Sequence, residues 1–168
     1  SDVYKRQLPE KSQEAAKRRG DPPVPPHDKR PDATREAMEG LREGGMGSVG
    51  IEWNGGGEFN RYVRDLNAMP EIVRPGAGGF ANASFALGLA NCALAANVRL
   101  GPWIHVQSRV TNHAPIHSGS RLVVESRVAD LFERSGHEFV DLDVTAFLEP
   151  NTPTMSAFHR AIYKLREP

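Results

Sequence analysis

The feature that most constrains the fold is a stretch of residues without a charge, from Pro75 to Val98. Its length would suit a transmembrane helix, but the stretch contains several glycines and the amides of Asn82, Asn91 and Asn97. Those groups would be costly in hydrocarbon, so the sequence predicts a buried helix in a soluble domain. Because apolar residues occupy every side of this helix, other elements must surround it.

The ends of the long helix are marked by small and basic residues. We expect it to begin near Gly79 or Phe80 and to end between Arg99 and Gly101. Arg99 is favourable at the negative end of a helix, Gly101 can act as the cap, and Pro102 stops the helix.

Four segments after the helix alternate between apolar and polar residues, which is typical of half-buried strands. They are Trp103 to Thr111, Arg121 to Leu131, His137 to Leu148 and Met155 to Leu165. The connections between them are short, so we expect antiparallel hairpins in a four-strand meander. A short strand from Ser48 to Trp53 precedes the helix. The predicted fold class is α+β, with one long helix wrapped by a curved antiparallel sheet.

The amino-terminal part differs in composition. Residues 1–45 are charged and proline-rich, and they predict a linker or tail with one short helix from Asp32, its expected cap, to Glu43. The first seven residues also resemble translated sequencing-adapter read-through. Residues 46–168 form the expected folded domain.

The overall composition argues against several classes of partner. Lys plus Arg and Asp plus Glu both number 21, so no basic field would hold nucleic acid. Cys92 is the only cysteine, which excludes a disulfide framework and fits a reducing compartment. No secretory signal is visible. We therefore expect a cytoplasmic protein without a membrane or nucleic-acid partner.

The order of elements, the segment from Gly79 to Ala90 (GFANASFALGLA) and the strand opening from Leu100 to Val106 (LGPWIHV) resemble the hot-dog superfamily. Within it, the chain resembles MaoC-type acyl dehydratases and (R)-specific enoyl-CoA hydratases. The resemblance implies an acyl-CoA or acyl-carrier thioester as ligand, a lyase reaction and no cofactor. It also implies tandem halves, so this chain would be a carboxyl-terminal half.

The resemblance implies a catalytic loop motif, D-x-N-P-x-H, that activates water. Asp65 and Asn67 match its first part, as general base and water-orienting residue, but Ala68 replaces the proline and Pro70 replaces the histidine. A second motif, A-H-G, opens the family's long helix and donates a backbone N–H to the thioester oxygen; here it reads Ala-Asn-Ala. The implied substrate-binding residues are Gly79, Asn82, Ala83 and Ser84.

Other candidate residues have ordinary structural explanations beside the functional ones. Asp65 could instead cap its own loop. His105, a candidate acid or base for substrate, could instead be a hydrogen-bonded sheet histidine. His113 and His117 have a spacing that suits metal only on a helix, and Pro115 between them argues against one, so no metal is predicted.

Two further groups of residues are expected to be structural. Asp141 and Asp143 alternate with apolar residues and predict a solvated strand face. Cys92 is expected to be a small apolar filler of the helix.

Three functions remain open at this level. The chain could be a MaoC-like hydratase or dehydratase with a degenerate site, a hot-dog thioesterase, or a non-catalytic half that binds an acyl chain or completes a partner's site. Because an unpaired strand edge invites pairing, we expect a homodimer or a pair with the missing tandem half.

Overall fold

The computed structural model describes residues 16–54 and 79–166 of the 168-residue chain. Within these described residues, a 3₁₀ turn (His27–Lys29) precedes two helices and five strands. In chain order these are α1 (Arg35–Gly44), β1 (Val49–Trp53), α2 (Ala83–Asn97), β2 (Ile104–Asn112), β3 (Ser120–Arg134), β4 (His137–Leu148) and β5 (Thr152–Lys164). Within the described residues no helix is long and apolar enough to cross a membrane.

The five strands form one antiparallel sheet in the order β1-β3-β4-β5-β2. With α2 packed against all five strands, this is the α+β hot-dog fold, as predicted. The predicted four-strand meander is wrong in one respect, because β2 pairs with β5 at the far edge and not with β3. The segment between β2 and β3 is not a tight hairpin: it crosses the amino end of α2.

Helix α2 is continuous, as expected, but it begins later than predicted. Phe80 forms an antiparallel bridge with His117, and the helix starts at Ala83 after Asn82. The Phe85 N–H donates to Asn82 Oδ1 at 3.2 Å, so this asparagine caps the helix. The last helical residue is Asn97, two positions before the predicted end.

The burial of α2 is complete on one side only. Phe85, Leu89, Ala90, Ala93 and Leu94 are fully buried against the sheet. Leu87 and Asn91 are half-buried and Ala95 is exposed, at a spacing of four residues that marks one helical stripe. The expectation of a helix surrounded on every side is therefore wrong for this stripe.

Helix α1 packs its Met38 into the core. Its cap is Thr34, whose Oγ1 accepts a hydrogen bond from the Ala37 N–H at 3.1 Å, and not Asp32 as predicted. Asp32 instead pairs with Arg99 at 2.9 Å, just after α2. The helix ends at Gly44, and Gly45 has a φ of +90°, which favours glycine.

The segment of residues 16–24, called the strap below, lies against the sheet. Its backbone N–H groups at Arg19, Gly20 and Asp21 donate to the carboxylate of Glu125 on β3, at 2.7, 2.7 and 3.1 Å. The Glu125 side chain is only 1% exposed. The Val24 N–H donates to the Ser48 carbonyl at 3.1 Å. These described residues of the predicted linker are thus hydrogen-bonded to the domain, whose boundary at residue 46 stays a prediction.

The predicted solvated face of β4 is partly covered. Asp141 is buried, and both of its carboxylate oxygens accept hydrogen bonds of 2.7 Å from the guanidinium of Arg160. The Arg160 guanidinium also lies 5.0 Å from the Phe132 ring centroid. Asp143 is more open and pairs with Arg127 at 2.7 Å. The prediction of a solvated Asp141 is wrong because a cross-strand arginine replaces water.

Candidate functional site: a cavity at the start of the long helix

A cavity of about 510 Å³ lies at the amino end of α2. One wall is the chain entering the helix and its first turn, and the other is the segment that leaves β2. Its described lining includes Phe80, Asn82, Phe85, His113, Ala114 and Ile116. The cavity exists because β2 ends beside the helix start and the chain must cross it to reach β3.

Backbone hydrogen bonds hold the two walls together. The Ala81 N–H donates to the Ile116 carbonyl at 2.8 Å, and the Ser118 N–H donates to the Gly79 carbonyl at 3.0 Å. The Phe80 ring lies 4.3 Å from the His117 ring, centroid to centroid. These contacts hold the residues that precede α2 against the segment between β2 and β3, and so position one side of the cavity opening.

The lining is mostly apolar, with few polar groups. Phe80, Phe85 and Ile116 supply hydrocarbon and aromatic surface, while Asn82 and Asn112 supply amides. None of the described lining residues is an aspartate, glutamate, lysine or arginine. An apolar cavity with a few polar groups at a helix start suits a ligand that has a hydrocarbon part and a carbonyl.

Of the predicted substrate-binding residues, Asn82 lies in the lining of this cavity, and Gly79, Ala83 and Ser84 are close to it in the chain. The Gly79 carbonyl accepts a hydrogen bond from the Ser118 N–H, and Ala83 and Ser84 are the first two residues of α2. N–H groups in the first turn of a helix have no acceptor within the helix, and they lie at its positive end. One of these N–H groups, that of Phe85, already donates to the capping side chain of Asn82. The substrate role of these residues stays a prediction.

The predicted catalytic residues Asp65 and Asn67 lie outside the described residues. The described lining contains one imidazole, that of His113. Its Nε2 is 2.9 Å from Ser156 Oγ on β5, and its backbone N–H donates to the Thr154 carbonyl at 2.7 Å. From the sequence, His113 was considered only as a metal ligand and its place in a cavity was not predicted; its position directly after the strand that became β2 was the available signal.

His105 lies elsewhere. It is the second residue of β2, whereas Asn112 at the cavity is the last, so they are roughly 20 Å apart along the strand. Its Nε2 is 3.0 Å from Ser108 Oγ, and its ring stacks on His159 with centroids 4.9 Å apart. The structure therefore does not place His105 in the cavity with the helix start, and its substrate role also stays a prediction.

His159, on β5, is fully buried. Burial lowers its pKa to about 4, and the nearby His105 acts in the same direction, while Asp141 opposes both. The ring is therefore neutral at pH 7. In the part of the chain that the structure describes, no group of three or more His, Cys, Asp or Glu side chains could hold a metal ion.

Comparison with known proteins gives structures but no family. No family model and no curated protein matches the sequence. Among solved structures, an uncharacterized protein from Pyrococcus horikoshii is 17% identical, with a TM-score of 0.48 over 71% of this chain and 75% of that one. A 1,4-dihydroxy-2-naphthoyl-CoA thioesterase from Synechocystis is 14% identical, with a TM-score of 0.48 over 72% and 88%.

A third similar structure is the C-terminally truncated HadBC (3R-hydroxyacyl-ACP dehydratase) complex from Mycobacterium tuberculosis. It is 20% identical, with a TM-score of 0.46 over 62% of this chain and 81% of that one. All three TM-scores are below 0.5, so the strand order and the position of α2, rather than these superpositions, define the fold. The activities in these names are those of the other proteins.

Proposed function

We propose that this chain binds an acyl thioester in the cavity at the start of α2, as a MaoC-like hot-dog unit with a degenerate catalytic motif. The observation that carries the proposal is the apolar cavity of about 510 Å³ directly against the first turn of the helix. Phe80, Phe85 and Ile116 would contact the acyl chain. First-turn N–H groups would hold the thioester oxygen without help from a side chain.

Binding can be tested by filling the cavity. Ala114 lines it on the segment between β2 and β3, and Ala114→Trp would occupy the space of an acyl chain. Ala95→Trp is the matched control, because Ala95 is exposed and lies three turns along α2 from the cavity. Titration with crotonyl-CoA, with free CoA as the reference, should give binding that Ala114→Trp weakens at least tenfold and Ala95→Trp leaves unchanged.

We further propose that the chain hydrates enoyl-CoA poorly or not at all. A proline ring cannot transfer a proton, so Pro70 leaves Asp65 without its imidazole partner. Loss of one well-placed acid or base lowers a rate by about 10² to 10⁴. The thioesterase alternative differs in its product, because hydrolysis releases a free thiol and hydration does not.

One experiment separates the three functions. Purified protein is mixed with crotonyl-CoA, and ultraviolet absorbance of the double bond is followed beside thiol release. Binding without either signal supports a non-catalytic, acyl-binding half. Hydration at an ordinary enzyme rate that Asp65→Ala abolishes would contradict the proposal. Thiol release that Asp65→Ala abolishes would make the chain a thioesterase.

The proposal includes assembly through a sheet edge, either with a second copy or with a tandem half. Strand β2 is an edge of the described sheet, and Ile104 and Val106 on it are 47% and 45% exposed. An open edge with apolar side chains favours pairing with another strand. Sedimentation of the chain should give a dimer at micromolar concentration, and a stable monomer there would contradict self-pairing.

A further inference from the structure

A second group of chemically active side chains lies at the far end of β2 from the cavity. Ser108 Oγ is 2.9 Å from His159 Nδ1 and 3.0 Å from His105 Nε2. Ser108 and His159 are directly paired across β2 and β5, and the two imidazole rings stack at an angle of 17°. One hydroxyl therefore lies between two imidazoles.

An irregularity in β2 makes this arrangement possible. Residues three apart on a regular strand point to opposite faces of the sheet. The pairing of β2 with β5 shifts register between His105 and Gln107. Such a bulge re-aims the side chains before it, so His105 and Ser108 share the face on which His159 lies.

The hydrogen positions follow from the burial of His159. Its neutral ring carries one N–H and one bare nitrogen. Nε2 is buried with no hydrogen-bond partner among the described residues, and an unpaired acceptor is tolerated more readily than an unpaired N–H. The proton therefore lies on Nδ1, which donates to Ser108 Oγ. The Ser108 hydroxyl is then left to donate to Nε2 of the exposed His105.

We propose that Ser108 is a nucleophile that takes an acyl group from an activated oxygen ester, with His105 as general base and His159 as a positioning residue. A hydroxyl that donates to an imidazole matches the nucleophile and general base of catalytic serines. The hydrogen bond from His159 Nδ1 holds the Ser108 oxygen in place for that contact. His105 is exposed and Ser108 is half-buried, so an acyl donor can approach from solvent.

The acyl transfer balances with the groups present. Ser108 Oγ forms a bond to the acyl carbon while its proton passes to His105 Nε2. The bond from that carbon to the leaving alkoxide oxygen breaks, and this oxygen takes the proton from His105. Water, with His105 again as base, can then release the acid and restore the Ser108 hydroxyl.

The chain contains its own comparison. Ser156 Oγ is 2.9 Å from His113 Nε2, a single serine–imidazole contact without a second ring. If proximity to one imidazole were sufficient, Ser156 would react as readily as Ser108. The proposal requires reaction at Ser108 and not at Ser156.

The test is labelling of the full chain with a fluorophosphonate probe, followed by tryptic mass spectrometry. We expect one adduct, on the peptide from Leu100 to Arg109, and no adduct on Ser156. Ser108→Ala should abolish labelling, Ser156→Ala should leave it unchanged, and His105→Gln should slow it about 100-fold. A p-nitrophenyl acetate assay should show an acetyl adduct at Ser108 with the same dependence on His105.

Because His159 is buried, its substitution can also destabilise the fold, so its positioning role is tested by the extent of labelling in folded variants. His159→Asn keeps an N–H near the position of Nδ1 and should retain more labelling than His159→Leu, in samples that circular dichroism shows to be folded. No adduct at Ser108 in folded wild-type protein would overturn the proposal, as would an adduct that His105→Gln leaves undiminished. Because the cavity variant Ala114→Trp should not affect labelling, this result is independent of thioester binding at α2.

Discussion

The attachment of the strap to Glu125 gives a prediction that can be worked from the structure. The carboxylate is only 1% exposed, and three consecutive backbone N–H groups converge on its two oxygens. Gly20, in the middle of the three, has a φ of +79°, a conformation that lets neighbouring N–H groups point at one anion. Arg19 also binds through its guanidinium, which donates to the Ser126 carbonyl at 3.1 Å.

Removing the carboxylate should release the strap without unfolding the sheet. A hydrogen bond to a charged group contributes roughly 1.5 to 3 kcal/mol, so the three together contribute on the order of 5 kcal/mol. In Glu125→Ala these three N–H groups would lose their acceptor, so the docked position of the strap would lose its advantage over the open one. Since the strap can open alone, the loss in global stability is limited to the free energy of docking it.

Trypsin measures this opening, because Lys17, Arg18 and Arg19 lie within the strap. Each 1.4 kcal/mol changes the open fraction about tenfold, so Glu125→Ala should speed cleavage at these sites at least about 100-fold. Glu125→Gln should fall between, because its carbonyl can keep the bonds from Gly20 and Asp21 while its NH₂ faces the Arg19 N–H. Glu133→Ala, at an exposed position of the same strand, is the control. Equal cleavage rates in wild type and Glu125→Ala would refute the reasoning.

Two further predictions concern the core. Leu94→Ala should lower the free energy of unfolding by about 2 to 5 kcal/mol in urea denaturation, whereas Leu87→Ala should cost clearly less, because Leu94 is fully buried and Leu87 is not; equal losses would contradict the burial pattern. Burial lowers the pKa of His159 in the folded protein to about 4, below its ordinary value of 6.5. Between these two pH values the unfolded chain binds more protons than the folded one. The free energy of unfolding therefore decreases as the pH falls from 6.5 to 4, by up to about 3 kcal/mol. His159→Leu should remove that part of the pH dependence, which denaturation at pH 7 and pH 5 would show; an unchanged slope would contradict a neutral buried ring.

The elements that could be predicted from the sequence are those fixed by local patterns. The uncharged stretch predicted α2 because continuous apolar character has few other solutions in a soluble chain. The short connection between β3 and β4 was also predicted, and its residues Ser135 and Gly136 both have a positive φ, at 54° and 78°. A two-residue turn of this kind fixes the hairpin of β3 and β4, so local chemistry sets the register there.

The placement of β2 could not be predicted in the same way. Alternation identifies a strand but does not say which strand pairs with it, and a seven-residue connection can close a hairpin or cross a helix. The cavity depends on the second choice, because the crossing segment forms one of its walls. Within β2, the bulge reverses the side-chain phase, so Ile104 is exposed and His105 shares a face with Ser108. The period of a regular strand would put the side chains of His105 and Ser108 on opposite faces of the sheet.

Buried polar groups were the hardest feature to predict, because their partners are distant in sequence. Glu125 is satisfied by N–H groups about a hundred residues earlier, and Asn97 exchanges hydrogen bonds with the backbone of Gly47 at 2.7 and 3.1 Å. A single sequence gives no reason to expect either pair, and a glutamate in a strand that alternates polar and apolar residues would be expected to face solvent. Once buried, however, each group tolerates few alternative partners, because leaving a buried amide or carboxylate without a hydrogen bond is costly. Such pairs therefore determine where the strap and the start of β1 lie against α2 and the sheet, a choice that hydrophobic patterning alone leaves open.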